Sequence, residues 1–253
     1  MSEQSVIVWD LETVPDLAAA ARMLDMVGEP EADVRCAIGS GFPKHPLHKI
    51  VCIGGLIASR QPEGWRMDAL GAPHIGERTE GELIRAFVEK VGELRPQLVM
   101  FNGHSFDLPV LRYRAMVNRV SAAGLQVRPY FNRYFDDAID LCDVLASYAS
   151  GAKVKLDEIS KILGLTGKPY GVDGSRVEAM VLDGKIEEVA RYCESDVLNT
   201  YRIWLVYELF RGSITTKELG WSESQIRDFV STRKMANPHL CAAVGISSDP
   251  RCA

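Results

Sequence analysis

The chain has 253 residues, of which 47% are apolar, and a formal net charge of −5. This length and composition allow one large core, and no apolar run approaches the about 20 residues that a membrane-spanning helix needs, so we expect a soluble, cytoplasmic protein with no membrane partner. The acidic balance excludes a general attraction to nucleic acid, so a polyanionic partner would need local positive charge or bound cations.

Residues 5–13, SVIVWDLET, form the first informative segment. The apolar, β-branched run predicts a buried strand that ends in polar residues. Side chains alternate along a strand, so Asp10 and Glu12 point to the same side. Two carboxylates about 7 Å apart repel each other unless a cation lies between them, which suggests a divalent metal. Taken alone, the pair is equally typical of an ordinary acidic strand end.

The next elements predict the start of an α/β sheet. Residues 16–27 are alanine-rich and predict a helix with Asp16 as its N-cap, and residues 28–48 are rich in turn formers. Residues 49–59 and 64–70 predict an antiparallel hairpin, Thr79 and Glu82 a capping box that starts a helix, and residues 97–101 a buried strand. The spacing of Cys36, His45, His48 and Cys52 is poor for zinc, so we interpret them as ordinary loop residues.

Residues 102–116, NGHSFDLPVLRYRAM, follow that last strand. Asp107 precedes Leu108 and Pro109 and is suited either to cap a helix or to bind a metal. Its position just past a strand end favours the second role, because open α/β sheets usually hold their ligands there.

Residues 108–135 contain five arginines, interleaved aromatic residues and no acidic residue. This composition suits a phosphate backbone and stacked bases, although a solvated helix face above core aromatics explains it equally well. The arginines are Arg112, Arg114, Arg119, Arg128 and Arg133. A loop and a helix are predicted at 136–149, where Asp137 and Asp140 could be caps or could border the site.

Two helices are predicted in the second half of the chain. Residues 155–165 form an amphipathic helix that runs into a glycine-rich connector, residues 164–175, which lacks the pattern of a phosphate loop. Residues 186–210 form a long, core-facing helix on which Tyr192 and Asp196 share a face. Asp196 alone could also be a partly buried carboxylate with a structural neighbour. We predict one domain over residues 1–211 and a helical extension with a tail, residues 212–253, packed on it.

Three segments therefore carry carboxylates: DLET at 10–13, NGHSFD at 102–107 and YCESD at 192–196. In this order they resemble the motifs of the DEDD superfamily of 3′–5′ exonucleases. The spacing of Tyr192 and Asp196 is similar to its tyrosine branch, since Arg191 stands where the histidine branch has His. The motifs most resemble the proofreading exonuclease domains of family B DNA polymerases, and the whole chain is similar to a bacterial family of predicted stand-alone exonucleases.

This resemblance implies an α/β, ribonuclease-H-like fold with a mixed five-stranded sheet flanked by helices, of which the sequence locates four strands. It implies removal of nucleoside 5′-monophosphates from a 3′ end, with single-stranded DNA as the preferred substrate. Four crowded carboxylates call for two divalent cations, Mg²⁺ or Mn²⁺. By resemblance, Asp10 would bridge both, Glu12 and Asp196 would complete the first, and Asp107 would hold the second.

The resemblance also assigns residues that handle the substrate. Tyr192, with an ordinary pKa near 10, is better suited to orient the attacking water than to act as a free base. Leu11 and Thr13 would meet the 3′-terminal nucleotide, with Asn102 and Phe106 nearby, and Arg112 is a further candidate contact. Proofreading would require a polymerase or repair partner in trans.

Two other functions are compatible with the same fold. One is a catalytically inactive nucleic-acid-binding module, although such a module has little reason to retain four repelling acids. The other is a metal-dependent phosphohydrolase that acts on small nucleotides.

Overall fold

A mixed five-stranded sheet organises the protein, as predicted. The computed structural model describes residues 4–39, 41–165, 176–233 and 237–246. The strands are β1 (Ser5–Pro15), β2 (His48–Gln61), β3 (Gly64–Gly71), β4 (Gln97–Met100) and β5 (Ala138–Asp140). They lie in the order β3-β2-β1-β4-β5. β2 is antiparallel to β1 and β3, whereas β4 is parallel to β1 and β5, so β1 lies at the centre.

Helices cover the sheet. The first half of the chain supplies α1 (Leu17–Met23), α2 (Glu31–Ile38), α3 (Glu80–Leu94), α4 (Asp107–Val117) and α5 (Leu141–Leu145). The second half supplies α6 (Leu156–Ile162), α7 (Val177–Leu182), α8 (Ile186–Phe210), α9 (Thr216–Thr232) and α10 (Pro238–Ala243). No helix in the described part of the chain is both long enough and apolar enough to cross a membrane.

The alternation of β1 sets the direction of its acidic side chains. Val6 and Val8 lie in the core beneath α8, whereas Trp9 lies in the opposite core with α3 and α4. Because successive strand side chains point to opposite faces, Asp10 and Glu12 continue the face of Val6 and Val8. Both acids therefore point toward α8.

A glycine allows α8 to approach the sheet closely at this point. Gly54 of β2 pairs with Asp10 of β1. A Cβ atom at Gly54 would lie 2.6 Å from Cys193 Sγ and 2.9 Å from Val197 Cγ2, closer than side chains tolerate. The absence of a side chain at this position brings the first turns of α8 onto the strand that carries the acids.

Some element predictions were wrong in detail. Residues 28–48 contain the helix α2 and are not only turns. Pro30 precedes this helix, and Val34 anchors it in a small core with α1. The helical extension predicted within residues 212–253 contains α9, which begins at Thr216 because Thr215 and Glu218 form a capping box. Most of the glycine-rich connector, residues 166–175, lies outside the described residues.

The two C-terminal helices pack against the sheet and α8. The backbone N–H of Trp65 in β3 donates to Ser222 Oγ in α9 at 2.8 Å. Ile226 of α9 and Leu240 of α10 are fully buried in the core beneath α8. These helices thus complete the face of the sheet toward which the acids of β1 point.

Candidate active site

Asp10 and Glu12 lie next to Cys193 of α8. One potential ligand atom from each of these three residues lies within 4.8 Å of the others. Glu12 is buried, and Cys193 Sγ lies 3.8 Å from Asp10 Oδ2. The pairing of β1 with β2 is interrupted just after Glu12 by an irregularity, which is common beside active sites. The sequence analysis did not identify Cys193 as a neighbour of these acids, although it follows Tyr192 directly.

Asp107 joins this cluster from α4. It is the first residue of α4, but its carboxylate does not serve as the cap that one interpretation predicted. Its Oδ1 instead accepts the backbone N–H of Leu11 at 3.1 Å, which fixes it beside β1. Burial, followed by the charges of Asp10 and Asp140, raises the pKa of Asp107 well above its usual value. Its charged form is therefore costly in the protein alone.

Tyr192 and Asp196 reach the same place from α8. Both are buried, and a hydrogen bond joins the Tyr192 hydroxyl to the Asp196 carboxylate. Burial, then the charges of Asp196 and Glu12, raise the pKa of Tyr192 far above its usual value, so this phenol stays protonated. Cys193, next to Tyr192, contacts Asp10, and Asp107 contacts Leu11, so residues of all three motifs lie beside β1.

Asp140 shapes the loop that leads to Asp107. Its buried carboxylate accepts the backbone N–H groups of Asn102 at 2.7 Å, His104 at 2.9 Å and Cys142 at 3.0 Å. Asn102 has the left-handed φ of 66°, which this hydrogen bonding holds in place. Asp140 thus both caps α5 and positions the loop, which settles the choice that its sequence left open. Asp137, by contrast, pairs with Arg128.

The residues expected to contact a substrate differ in their surroundings. Thr13 Oγ1 lies 3.0 Å from His48 Nδ1, and Phe106 makes an edge contact with the His48 ring at 4.9 Å. His48 is therefore part of an aromatic cluster beside Thr13; it is the first residue of β2, so its interpretation as a loop residue was wrong. Asn102 is exposed, and its Oδ1 accepts from Lys153 Nζ at 3.0 Å. Lys153 gave no signal in the sequence.

The arginine-rich segment does not form the continuous basic surface that its composition suggested. Arg114 is buried and pairs with Glu80 and Asp16, and Arg128 and Arg133 pair with acids. Arg112 is exposed, but its guanidinium lies over the Phe131 ring at 4.0 Å. The partners are acids outside residues 108–135, which no count within the segment could reveal.

The donor set fits divalent cations. The site offers carboxylate oxygens from Asp10 and Glu12, with Asp107 and Asp196 nearby, and hard ions such as Mg²⁺ and Mn²⁺ prefer oxygen ligands. The raised pKa of Asp107 indicates mutual repulsion that a bound cation would relieve. Within the residues that the structure describes, no other group of acids, histidines and cysteines converges in this way.

The sheet order and the flanking helices define a ribonuclease-H-like exonuclease fold with an acidic cluster at its centre. The sequence matches the model of a family described as predicted 3′–5′ exonucleases related to the exonuclease domain of PolB, over residues 40–243, and the chain belongs to this family. The predicted relationship to polymerase exonuclease domains is thereby confirmed. The match begins after β1, so the placement of Asp10 and Glu12 depends on the geometry.

A solved polymerase structure shows the same fold. The family B DNA polymerase of the hyperthermophilic archaeon Pyrobaculum calidifontis is 19% identical with a TM-score of 0.54, over 82% of this chain and 24% of that one. E. coli Exonuclease I, in complex with an oligonucleotide, is 11% identical with a TM-score of 0.42, over 74% and 40%. The chain thus spans less than half the length of either protein. No curated protein matches its sequence.

Proposed function

We propose that the protein is a metal-dependent 3′–5′ exonuclease that releases nucleoside 5′-monophosphates from single-stranded ends, with DNA as the preferred substrate. The observation that carries this proposal is that residues of three distant segments meet at β1: Asp10 and Glu12 lie beside Cys193 of α8, and Asp107 of α4 accepts the Leu11 N–H. Acids that raise one another's pKa oppose folding, so their retention favours a role in binding cations.

The four carboxylates would hold two divalent cations, with Asp10 shared between them. Bound there, such ions supply activation of water for in-line attack on the terminal phosphodiester and stabilisation of the leaving 3′ oxygen. The Leu11 N–H orients Asp107 toward this point, since it donates to Oδ1. The loop fixed by Asp140 sets the distance between Asp107 and the strand.

Tyr192 would act through its hydroxyl proton. A phenol whose pKa is raised above its usual value is protonated at neutral pH and can both donate to a carboxylate and accept from water. The hydrogen bond to Asp196 keeps this group at the cluster. We therefore assign Tyr192 the task of orienting the attacking water.

Four residues would receive the 3′ end. The Leu11 N–H already donates to Asp107. Leu11 would therefore contact the 3′ end through neighbouring backbone atoms, with Thr13 beside it. Asn102 is exposed, and Phe106 offers a ring for the terminal base. Arg112 is a weaker candidate because it stacks on Phe131.

The test is digestion of 5′-labelled DNA and RNA, single and double stranded, with Mg²⁺, with Mn²⁺ and with EDTA. We expect a ladder shortened from the 3′ end, and loss of at least about a hundredfold in rate for Asp10→Asn. Asp183→Asn is the matched control, since Asp183 is exposed and pairs with Lys185. Full activity of Asp10→Asn, or of wild type in EDTA, would contradict the proposal. Hydrolysis of mononucleotides alone would favour a phosphohydrolase.

A further inference from the structure

A group of exposed aromatic side chains lies away from the acids, where the loop before β5 and the turn after α5 are near the end of α8. Tyr134 is 69% exposed, and its ring lies 5.0 Å from that of Tyr148. Phe210 is 83% exposed, and its ring stacks on Tyr207 at 6.1 Å between centroids. Adjacent exposed rings form an apolar patch, and such patches mark interaction sites more often than single exposed residues do.

The two pairs of rings belong to one surface, which two arginines extend. Arg211, beside Tyr207, pairs with Asp136, which is two residues after Tyr134, so the two pairs of rings lie near each other. The guanidinium of Arg133 lies 5.8 Å from the centre of the Tyr148 ring, and that of Arg211 lies 5.6 Å from the Tyr207 ring. We call this surface the aromatic track; it comprises Tyr134, Tyr148, Tyr207, Phe210, Arg133 and Arg211.

Most cations on or beside the track are more exposed to solvent than the acids that pair with them. Arg133 and Lys153 both pair with Asp143, whose side chain is fully buried, while theirs are 41% and 24% exposed. Arg211 pairs with Glu208, which is 10% exposed, and with Asp136, the one exposed acid among these partners. The outer surface thus offers guanidinium and ammonium groups between aromatic rings.

Lys153 links the track to the candidate active site. Its Nζ donates to Asn102 Oδ1 at 3.0 Å and lies 2.9 Å from Asp143 Oδ1. Arg133 binds the other oxygen of Asp143 and lies over Tyr148. A continuous path of side chains therefore leads from the loop beside Asp107 to the rings.

The backbone holds Tyr148 in an unfavourable conformation. Ser147 and Tyr148 have φ angles of 49° and 61°, a region that non-glycine residues rarely adopt. The Tyr148 N–H donates to the Asp143 carbonyl at 2.8 Å, which secures this turn. Such strain is typical of functional positions, and here it presents the ring beside Tyr134.

We propose that the aromatic track binds the bases of a single-stranded nucleic acid upstream of the 3′ end that enters the acidic cluster. Alternating rings and cations match alternating bases and phosphates, and stacking on rings requires bases that are not paired. The direction of the strand rests on the proposed exonuclease function, whereas the preference for unpaired strands does not. Along α8, the distance from Asp196 to Phe210 is about 20 Å, so a dinucleotide in the site would not reach the far rings.

The experiment measures binding without catalysis. A fluorescent oligothymidylate of about 12 residues is titrated in EDTA and followed by anisotropy. We expect Tyr134→Ala and Tyr148→Ala each to weaken binding about five- to tenfold. Tyr148→Phe should retain wild-type affinity, because it keeps the ring. Tyr113→Ala is the matched control, since Tyr113 is 43% exposed and Tyr148 39%, and it should leave affinity unchanged.

The outcomes separate this proposal from the proposed function. Unchanged oligonucleotide affinity in both alanine variants, or equal affinity of wild type for a duplex competitor, overturns the track even if wild type digests DNA. Weakened binding in these variants supports the track even if wild type fails to digest any strand, which would contradict only the exonuclease proposal. A change of oligomeric state in place of affinity would identify the surface as a protein interface and overturn the proposal.

Discussion

Two buried clusters in this protein bring acids together from distant parts of the chain, with opposite results. In the first, the Arg114 cluster, Glu80 binds the Nε and one terminal nitrogen of the guanidinium, and Asp16 binds the other at 2.7 Å. In the second, the candidate active site, the acids of β1, α4 and α8 lie near one another. Both clusters are fixed by the same helix, α4.

The pKa values of Asp16 and Asp107 are shifted in opposite directions in the two clusters. Burial would raise the pKa of Asp16, but the Ala19 N–H and the Arg114 guanidinium outweigh it and lower the pKa below the usual value. Burial and the charges of Asp10 and Asp140 raise that of Asp107. Burial of an acid is therefore no sign of function by itself. The sign of the neighbouring charges separates an acid that stabilises the fold from one suited to bind a cation.

Breaking the Arg114 cluster should give the largest change in stability. We expect Arg114→Met to lower the free energy of unfolding by about 3–5 kcal/mol, because it leaves Glu80 and Asp16 buried without their cation. For a chain of this size that is a fall of roughly 10 °C in Tm. Asp107→Asn should instead leave Tm equal to or above that of wild type, since it removes a repelling charge while keeping an acceptor for Leu11 N–H.

The control for Arg114→Met is Arg112→Met, on the same helix, where the arginine is exposed and stacks on Phe131. This change should cost less than about 1 kcal/mol. If Asp107→Asn destabilised the protein as much as Arg114→Met, the two clusters would not differ in the way that their pKa values indicate.

The sequence predicted the residues proposed for the candidate site, but it did not predict the contacts that surround them. Alternation along β1 placed Asp10 and Glu12 on one face, and helical spacing did the same for Tyr192 and Asp196, because both periods are local. For Asp107, the local residues suited a cap and a ligand equally, and only its position past a strand end favoured the ligand; the N–H that it accepts belongs to Leu11, far away in the chain. The roles of these residues in the site are proposals.

What the sequence could not supply depends on long-range pairing. β5 has three residues, too few for a detectable alternation, and it forms because β4 offers a parallel edge. Asp140, at its end, holds the loop of Asn102 by accepting backbone N–H groups, a role that no motif encodes. The basic character of residues 108–135 was overestimated because Glu80, which neutralises Arg114, lies outside that segment.

Addition of divalent cations should distinguish the candidate active site from the Arg114 cluster, with a smaller change in stability than Arg114→Met causes. A cation that binds only the folded state stabilises it by about 2.7 kcal/mol at a hundred times its Kd. We expect Mg²⁺ or Mn²⁺ to raise the Tm of wild type by several degrees and to leave that of Asp107→Asn nearly unchanged. Arg114→Met is the control and should gain as much as wild type. Equal shifts in wild type and Asp107→Asn would place the bound ions elsewhere.

The smallest expected effect is the pH dependence of the Asp16–Arg114 pair. The folded pKa of Asp16 is lowered below 3.8, so its contribution to stability is complete above that pH and is lost as the pH falls through the folded pKa. Wild type should exceed Asp16→Asn by about 1 kcal/mol in urea unfolding near pH 6, and this difference should vanish as the pH falls below the lowered folded pKa of Asp16. Asp183→Asn, at an exposed acid, should show no such trend. A difference that grew on acidification would mean that folding raises the pKa of Asp16, which would contradict its stabilisation by the Ala19 N–H and Arg114.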